Sequence, residues 1–144
     1  MEFEKDNTPY YIVNPSKIAT IKIGDKVYTH TAYIHNNKVH TTYFILNKDG
    51  EVQLLEKEKV FFKQAEKSKG YIVAKHPRFE VVSSTLYVKF GDKPAQLIKR
   101  RRDLAKLFPS HQEELSKFIK KNKISTKDPK DLSKVIDYYN NLAN

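Results

Sequence analysis

The stretch "KVYTHTAYIHNNKVHTTYFILNKDGEVQLLEKEKVFFK", residues 26 to 63, decides the fold class. It is dense in β-branched and aromatic residues, which pack well on a pleated surface and read as strand. Asn36-Asn37 interrupts it with a two-residue hairpin signal, because asparagine tolerates the positive φ such turns demand. "NKDG" at 47–50 is a second turn. The long run after it predicts a strand that is bulged or bent. Immediately upstream, "IATIKI" at 18–23 alternates in character and Gly24-Asp25 supplies a turn. Residues 18 to 63 therefore predict an antiparallel meander of four strands.

Downstream, "AEKSKG" at 65–70 is a loop, and Pro77 makes "YIVAKHPRF" at 71–79 an edge or a break. "STLYVKFGDKPAQLI" at 84–98 predicts a hairpin with "GDKP" at its tip. Gly91 there is expected to take a backbone conformation that a Cβ would penalise. The pattern changes near residue 99. Leu104, Leu107 and Phe108 sit at helical spacing in a short helix that Pro109 ends. Ser110 and Glu113 have the spacing of a capping box for a second helix, with the stripe Leu115, Phe118 and Ile119. Asp128 as N-cap and Pro129 at the first helical position predict a third helix, with the stripe Leu132, Val135, Ile136 and Tyr139. The fold class is α+β: an antiparallel meander over residues 18–98, then two or three short C-terminal helices. Residues 1–98 are expected to form a β-rich domain with a short polar N-terminal arm. Residues 99–144 are expected to form a basic helical tail packed on or beside it.

At 144 residues the chain can bury a core without a staple, and it has no cysteine. That removes disulfides, thiolate nucleophiles and cysteine-based zinc sites. No apolar run approaches the roughly 18 residues of a spanning helix. The opening "MEFEKDNTPYY" lacks the basic and apolar regions of a signal peptide. Net charge is +10. Residues 1–98 hold 15 basic and 11 acidic residues, and residues 99–144 hold 12 and 6, so the tail is the more basic part. Such a field attracts polyanions without choosing among them.

The densest positive region comprises Lys99, Arg100, Arg101, Arg102, Lys106, Lys117, Lys120 and Lys121, the candidate anion contacts. The lysines of the second helix avoid its apolar stripe, as solvated residues of any amphipathic helix do. "KRRR" at 99–102 is less ordinary, because it is expected to precede a helix, where the dipole disfavours cations. "KGYIVAKH" at 69–76 begins like the RNA-binding pattern of an RRM but departs from it at Ile72, Val73 and Ala74. Nucleic-acid binding through the basic 99–121 region is therefore the alternative reading. His30, His35 and His40 flank the Asn-Asn turn. The simplest register pairs His35 with Lys38 and Tyr33 with His40, which sets His35 and His40 diagonally on one face and His30 on the other. Two ligands fall short of a metal site. Ser83-Ser84 lack a nucleophile elbow, and Glu56 and Glu58 alternate with lysines as ordinary sheet decoration. No catalytic, cofactor-binding or metal-ligating set is predicted, and an enzyme of unrecognised class ranks third.

From Phe79 onward the chain resembles a family of exported proteins of Bacteroidetes-type bacteria. The shared pattern is a strand "Y-x-K-x-G-D-x-P-A", here Tyr87, Lys89, Gly91, Asp92, Pro94 and Ala95. A basic linker follows, then "D-L-x-x-L-F" at Asp103, Leu104, Leu107 and Phe108, and a terminal "I-x-Y-Y-N" at Ile136, Tyr138, Tyr139 and Asn140. Upstream, Gly50, Val52, Leu54 and Leu55 resemble the family's "G-x-V-x-L-L" core. The resemblance implies a periplasmic or cell-envelope protein that binds or scaffolds, with another envelope protein or an acidic polymer as partner. It implies no known activity, and it implies that a typical member carries a signal peptide and further N-terminal strands, so that this chain would be trimmed. A cytoplasmic location goes with the nucleic-acid alternative.

Overall fold

A computed structural model describes residues 2–5, 8–68, 70, 71 and 73–143. Two short strands, β1 (Glu2–Lys5) and β2 (Thr8–Tyr11), pair antiparallel as a separate hairpin where composition alone suggested only a polar arm. The main sheet is a six-stranded meander in sequence order. Its strands are β3 (Thr20–Ile23), β4 (Lys26–His35), β5 (Lys38–Lys48), β6 (Val52–Lys63), β7 (Arg78–Phe90) and β8 (Gln96–Leu97). Helices α1 (Arg101–Leu104), α2 (Gln112–Lys121) and α3 (Pro129–Ala143) follow, with a 3-10 turn at Ala105–Leu107 between the first two. The architecture is the expected α+β meander with C-terminal helices.

The turns do what their residues dictate. Asn36 and Asn37 have φ of 49° and 58°, the pair of left-handed residues that a tight hairpin requires. The β4–β5 register is the simplest one, with His35 opposite Lys38 and Tyr33 opposite His40. The long strand β6 has its register shift at Lys59/Val60, where β7 carries the extra residue Val82. Of the expected segment 71–79, strand begins only at Arg78. Before it, Glu66 and Lys75 exchange backbone hydrogen bonds in one isolated bridge, and Ile72 lies outside the described residues.

One long-range feature was not legible in the local pattern. The Ala95 N–H donates to Ala32 O at 2.8 Å, and Ala95 O accepts from the Ile34 N–H at 3.0 Å. Through this parallel bridge between Tyr33 and Ala95 the sheet curls until its end meets β4. Five meandering strands put the first and last parallel, so β4 to β8 can close in this way. Each of the five contributes to an inner cluster of Tyr33, Phe44, Leu55, Tyr87 and Ala95, backed by Leu46 and Leu97. Tyr33, Phe44 and Tyr87 meet with centroid distances of 5.0–5.7 Å and steep interplanar angles, the favoured edge-to-face arrangement.

The alternate residues face outward into a second, larger core. Val52, Leu54, Leu86, Val88 and Ile98 pack there against Leu104, Ala105, Phe108, Leu115, Ile119, Ile124, Leu132, Val135, Ile136 and Tyr139. The helical stripes are thus buried on the sheet, except that Leu107 and Phe118 are only half-buried, Phe118 stacking on Tyr138. Lys48 adds an ion pair to Asp137 of α3 at 2.7 Å. Asp128 caps α3 as expected, with its Oδ1 accepting the Lys130 N–H at 2.9 Å. Asp131 accepts from Lys134 and from the Ser125 N–H, and these hold its carboxyl below the ordinary value of 3.8.

The capping box at Ser110 and Glu113 does not form. His111 occupies the cap position at φ 55°, with no side-chain cap hydrogen bond. The Ser110 hydroxyl instead shares a 3.2 Å hydrogen bond with the Tyr139 hydroxyl, and Gln112 Nε2 donates back to Phe108 O at 2.9 Å. Packing of the loop against α3 outcompetes the local cap. At the other end α2 closes with a left-handed Lys123. The Ile124 N–H reaches Ile119 O and the Lys123 N–H reaches Lys120 O, a Schellman arrangement that delivers Ile124 to the core.

Candidate anion-binding face

The basic tract straddles a helix start instead of preceding it. Lys99 and the extended Arg100 lie before α1, whereas Arg101 and Arg102 are its first two residues. The dipole argument from sequence therefore needs correcting: a helix of one turn has almost no macrodipole to oppose them. Leu104 and Ala105 anchor this turn in the outer core. Their burial leaves Arg101 and Arg102 on the solvent side, facing α2.

There, Arg101, Arg102, Ala105, Ser116, Ile119 and Lys120 line a groove of about 220 Å³. A second, about 390 Å³, is bounded by Glu114, Lys117, Phe118, Lys121, Asn122 and Tyr138. Five of the eight candidate anion contacts are thus gathered around α2: three in the first groove, and Lys117 and Lys121 in the second. Lys99 and Arg100 are exposed and line neither groove. Lys106 is exposed too and turns toward Asp103 at 3.6 Å, while Arg102 reaches the same carboxylate at 3.6 Å. Exposed pairs of that length contribute little, so Asp103 trims the positive field without cancelling it.

Sequence reasoning missed the ring pair in the second groove. Phe118 and Tyr138 stack at 4.2 Å and 10°, nearly parallel. The signal was present: Phe118 falls at the edge of its stripe, and Tyr138 sits beside the core residue Tyr139. A third hollow, about 930 Å³, opens between the Gly91–Pro94 turn and α3, with Glu51, Phe90, Pro109, Tyr139, Asn140 and Ala143 in its walls. Its charges are mixed, with Glu51 and Asp92 against Lys93, so it has no preference for an anion.

The histidines fall as their register requires. The His35 and His40 rings are 6.2 Å apart on one face, beside Tyr33, and His30 packs on Tyr43 on the other. Among the described residues no three metal-ligating side chains converge. Lys57 Nζ donates to the Tyr33 hydroxyl at 2.8 Å and lies 4.4 Å from its ring centroid, closing the inner core at that end. Ser83 and Ser84 stand opposite Lys59 and Glu58 on the β6–β7 pair. No family model, no curated protein and no solved structure matches the chain.

Proposed function

We propose that this chain is a non-enzymatic binding or scaffolding module of the cell envelope, whose α1–α2 face receives an acidic polymer or the acidic face of another envelope protein. One observation carries the binding face: the adjacent Arg101 and Arg102 of α1 and Lys120 of α2, 18 residues further on, line a single groove. Cations in a concave, partly apolar setting focus the field more than the same charges on a convex helix. Arginine's planar fork also suits carboxylate, sulfate or phosphate oxygens. The envelope location rests on the resemblance of the Tyr87–Ala95, Asp103–Phe108 and Ile136–Asn140 motifs.

Nucleic-acid binding is the second reading, favoured by the half-buried Phe118–Tyr138 stack between Lys117 and Lys121, since bases stack on accessible ring faces. A titration against a sulfated polysaccharide, duplex DNA and single-stranded RNA at two salt concentrations separates the two. The envelope reading expects polysaccharide binding that Arg100→Ala, Arg101→Ala and Arg102→Ala together weaken, with nucleic-acid association gone at ~0.15 M salt, where the Debye length is about 8 Å. Submicromolar DNA or RNA binding at that salt, with a slope that the triple variant flattens by about two to three units, would instead establish the nucleic-acid reading.

A further inference from the structure

The β6–β7 pair runs on past the curled part of the sheet. Pairing of β5 with β6 stops at Ile45 and Glu56, whereas β6 and β7 stay paired out to Lys63 and Arg78. Past Glu58, which Lys26 of β4 still holds at 2.6 Å, the five residues Lys59 to Lys63 at about 3.3 Å each make a two-stranded ribbon with β7 that projects by roughly 17 Å. A lone ribbon in water should be polar, yet this one is not. Val60 and Val81 pair on one face beside Phe62 and Phe79, whose rings lie 5.2 Å apart. These four side chains are 46%, 55%, 51% and 41% exposed. The other face carries exposed Phe61, and Val82 is exposed at the bulge.

The charges around these residues are mostly positive. Lys59, Lys63, Lys67, Lys75 and Arg78 outnumber Glu66 and Glu80. Both carboxylates are already engaged: Glu80 by Lys63 at 2.6 Å and Arg78 at 2.5 Å, Glu66 by Arg78 at 3.4 Å. Lys59, Lys67 and Lys75 form no salt bridge among the described residues. A rigid protein groove, or a second copy packed face to face, would cover one side of the ribbon and leave Phe61 or the Phe62–Phe79 pair in water. A fluid interfacial layer takes up both sides at once. Exposed phenylalanines and valines bury into the boundary between headgroups and acyl chains, and lysines beside them meet anionic headgroups.

We propose that the β6–β7 ribbon is a membrane-surface anchor that inserts Phe61, Phe62 and Phe79 into the interface of an anionic lipid layer while its lysines bind the headgroups. A membrane-docked ribbon rests on the binding-module reading but uses a different surface from the α1–α2 groove, so the two can fail separately. The test is co-sedimentation of the full chain with vesicles of phosphatidylcholine alone and of phosphatidylcholine with phosphatidylglycerol. The chain has no tryptophan, so Phe62→Trp adds a clean fluorescent reporter. Binding to the anionic vesicles is expected, with a blue shift in the emission of the introduced indole. Phe62→Ser with Phe79→Ser should weaken it at least about tenfold through lost apolar burial, and Lys59→Gln, Lys67→Gln and Lys75→Gln together by about a hundredfold. Arg100→Ala, Arg101→Ala and Arg102→Ala should leave the blue shift intact. Unshifted emission, equal binding to neutral vesicles, or vesicle binding that survives the serine variant would overturn the proposal. So would a ribbon-dependent dimer with no lipid binding.

Discussion

Replacing Phe108 by alanine tests how the helices hold to the sheet. The side chain is 2% exposed and lies in the outer core. It meets Phe90 of β7 at 5.3 Å, edge to face, and Tyr139 of α3 at 4.9 Å. It thus joins the sheet, the α1–α2 connection and α3 at one point. Buried Phe→Ala changes cost about 3–5 kcal/mol, the lost transfer energy plus the cavity left behind. A chain of this length has roughly 7–20 kcal/mol in total, so the loss is a large share. The matched control is Phe118→Ala. Phe118 is half-buried and has one stacked ring neighbour, Tyr138, so about 1–2 kcal/mol is expected from partial burial plus one aromatic pair. Urea unfolding followed by circular dichroism reads both, with m unchanged if the native and unfolded states keep their extent. A Phe108→Ala cost below about 1 kcal/mol, or one no larger than that of Phe118→Ala, would refute the shared core. Helix signal lost before sheet signal in the unmutated chain would refute it as well.

Three smaller expectations follow from local geometry. Gly91 has φ +47° and open space where a Cβ would stand, so Gly91→Val should cost about 1–2 kcal/mol from backbone strain alone and lower the thermal midpoint by a few degrees; an unchanged midpoint would remove the strain argument. Asp128→Ala removes the cap on the Lys130 N–H and should cost about 1 kcal/mol, readable as a shift in urea midpoint, whereas Ser110→Ala should act through the lost Tyr139 contact and leave the start of α2 unfrayed in amide exchange. Asp131 is held below 3.8 by Lys134 and the Ser125 N–H, and Glu80 below 4.5 by Lys63 and Arg78. Depressed carboxyls contribute stability that is full above their unfolded values and is lost as pH falls through the folded ones. The melting temperature should therefore drop on acidification below about pH 4, and Asp131→Asn with Glu80→Gln should flatten that drop.

The sequence carried the elements that depend on local chemistry. The β-branched and aromatic density of 26–63, the Asn36-Asn37 turn and the Asp128-Pro129 helix start are choices each residue makes with its near neighbours, and they hold. The bridge at Ala95 depends on how five twisted strands accumulate curvature, and nothing near Ala95 encodes the meeting with Ala32 and Ile34. Ser110 and Glu113 had a sound local pattern, but the Tyr139 hydroxyl, 29 residues away, offered a competing partner. The candidate site divided in the same way. Charge density in 99–121 was visible as composition, whereas the grouping of Arg101, Arg102 and Lys120 needed the α1–α2 crossing. The exposure of Phe61, Phe62 and Phe79 was hidden because a strand rich in such residues ordinarily predicts burial.

The most direct test of the working face is a residue-resolved amide chemical-shift titration of the full chain with a short sulfated oligosaccharide at near-physiological salt. The account predicts saturable shifts concentrated at Arg101, Arg102, Ser116 and Lys120, weaker ones at Lys117 and Lys121, and none along the hollow at Glu51, Gly91 and Asn140. Shifts centred on that hollow, or spread evenly over lysines of the sheet and helices alike, would contradict it.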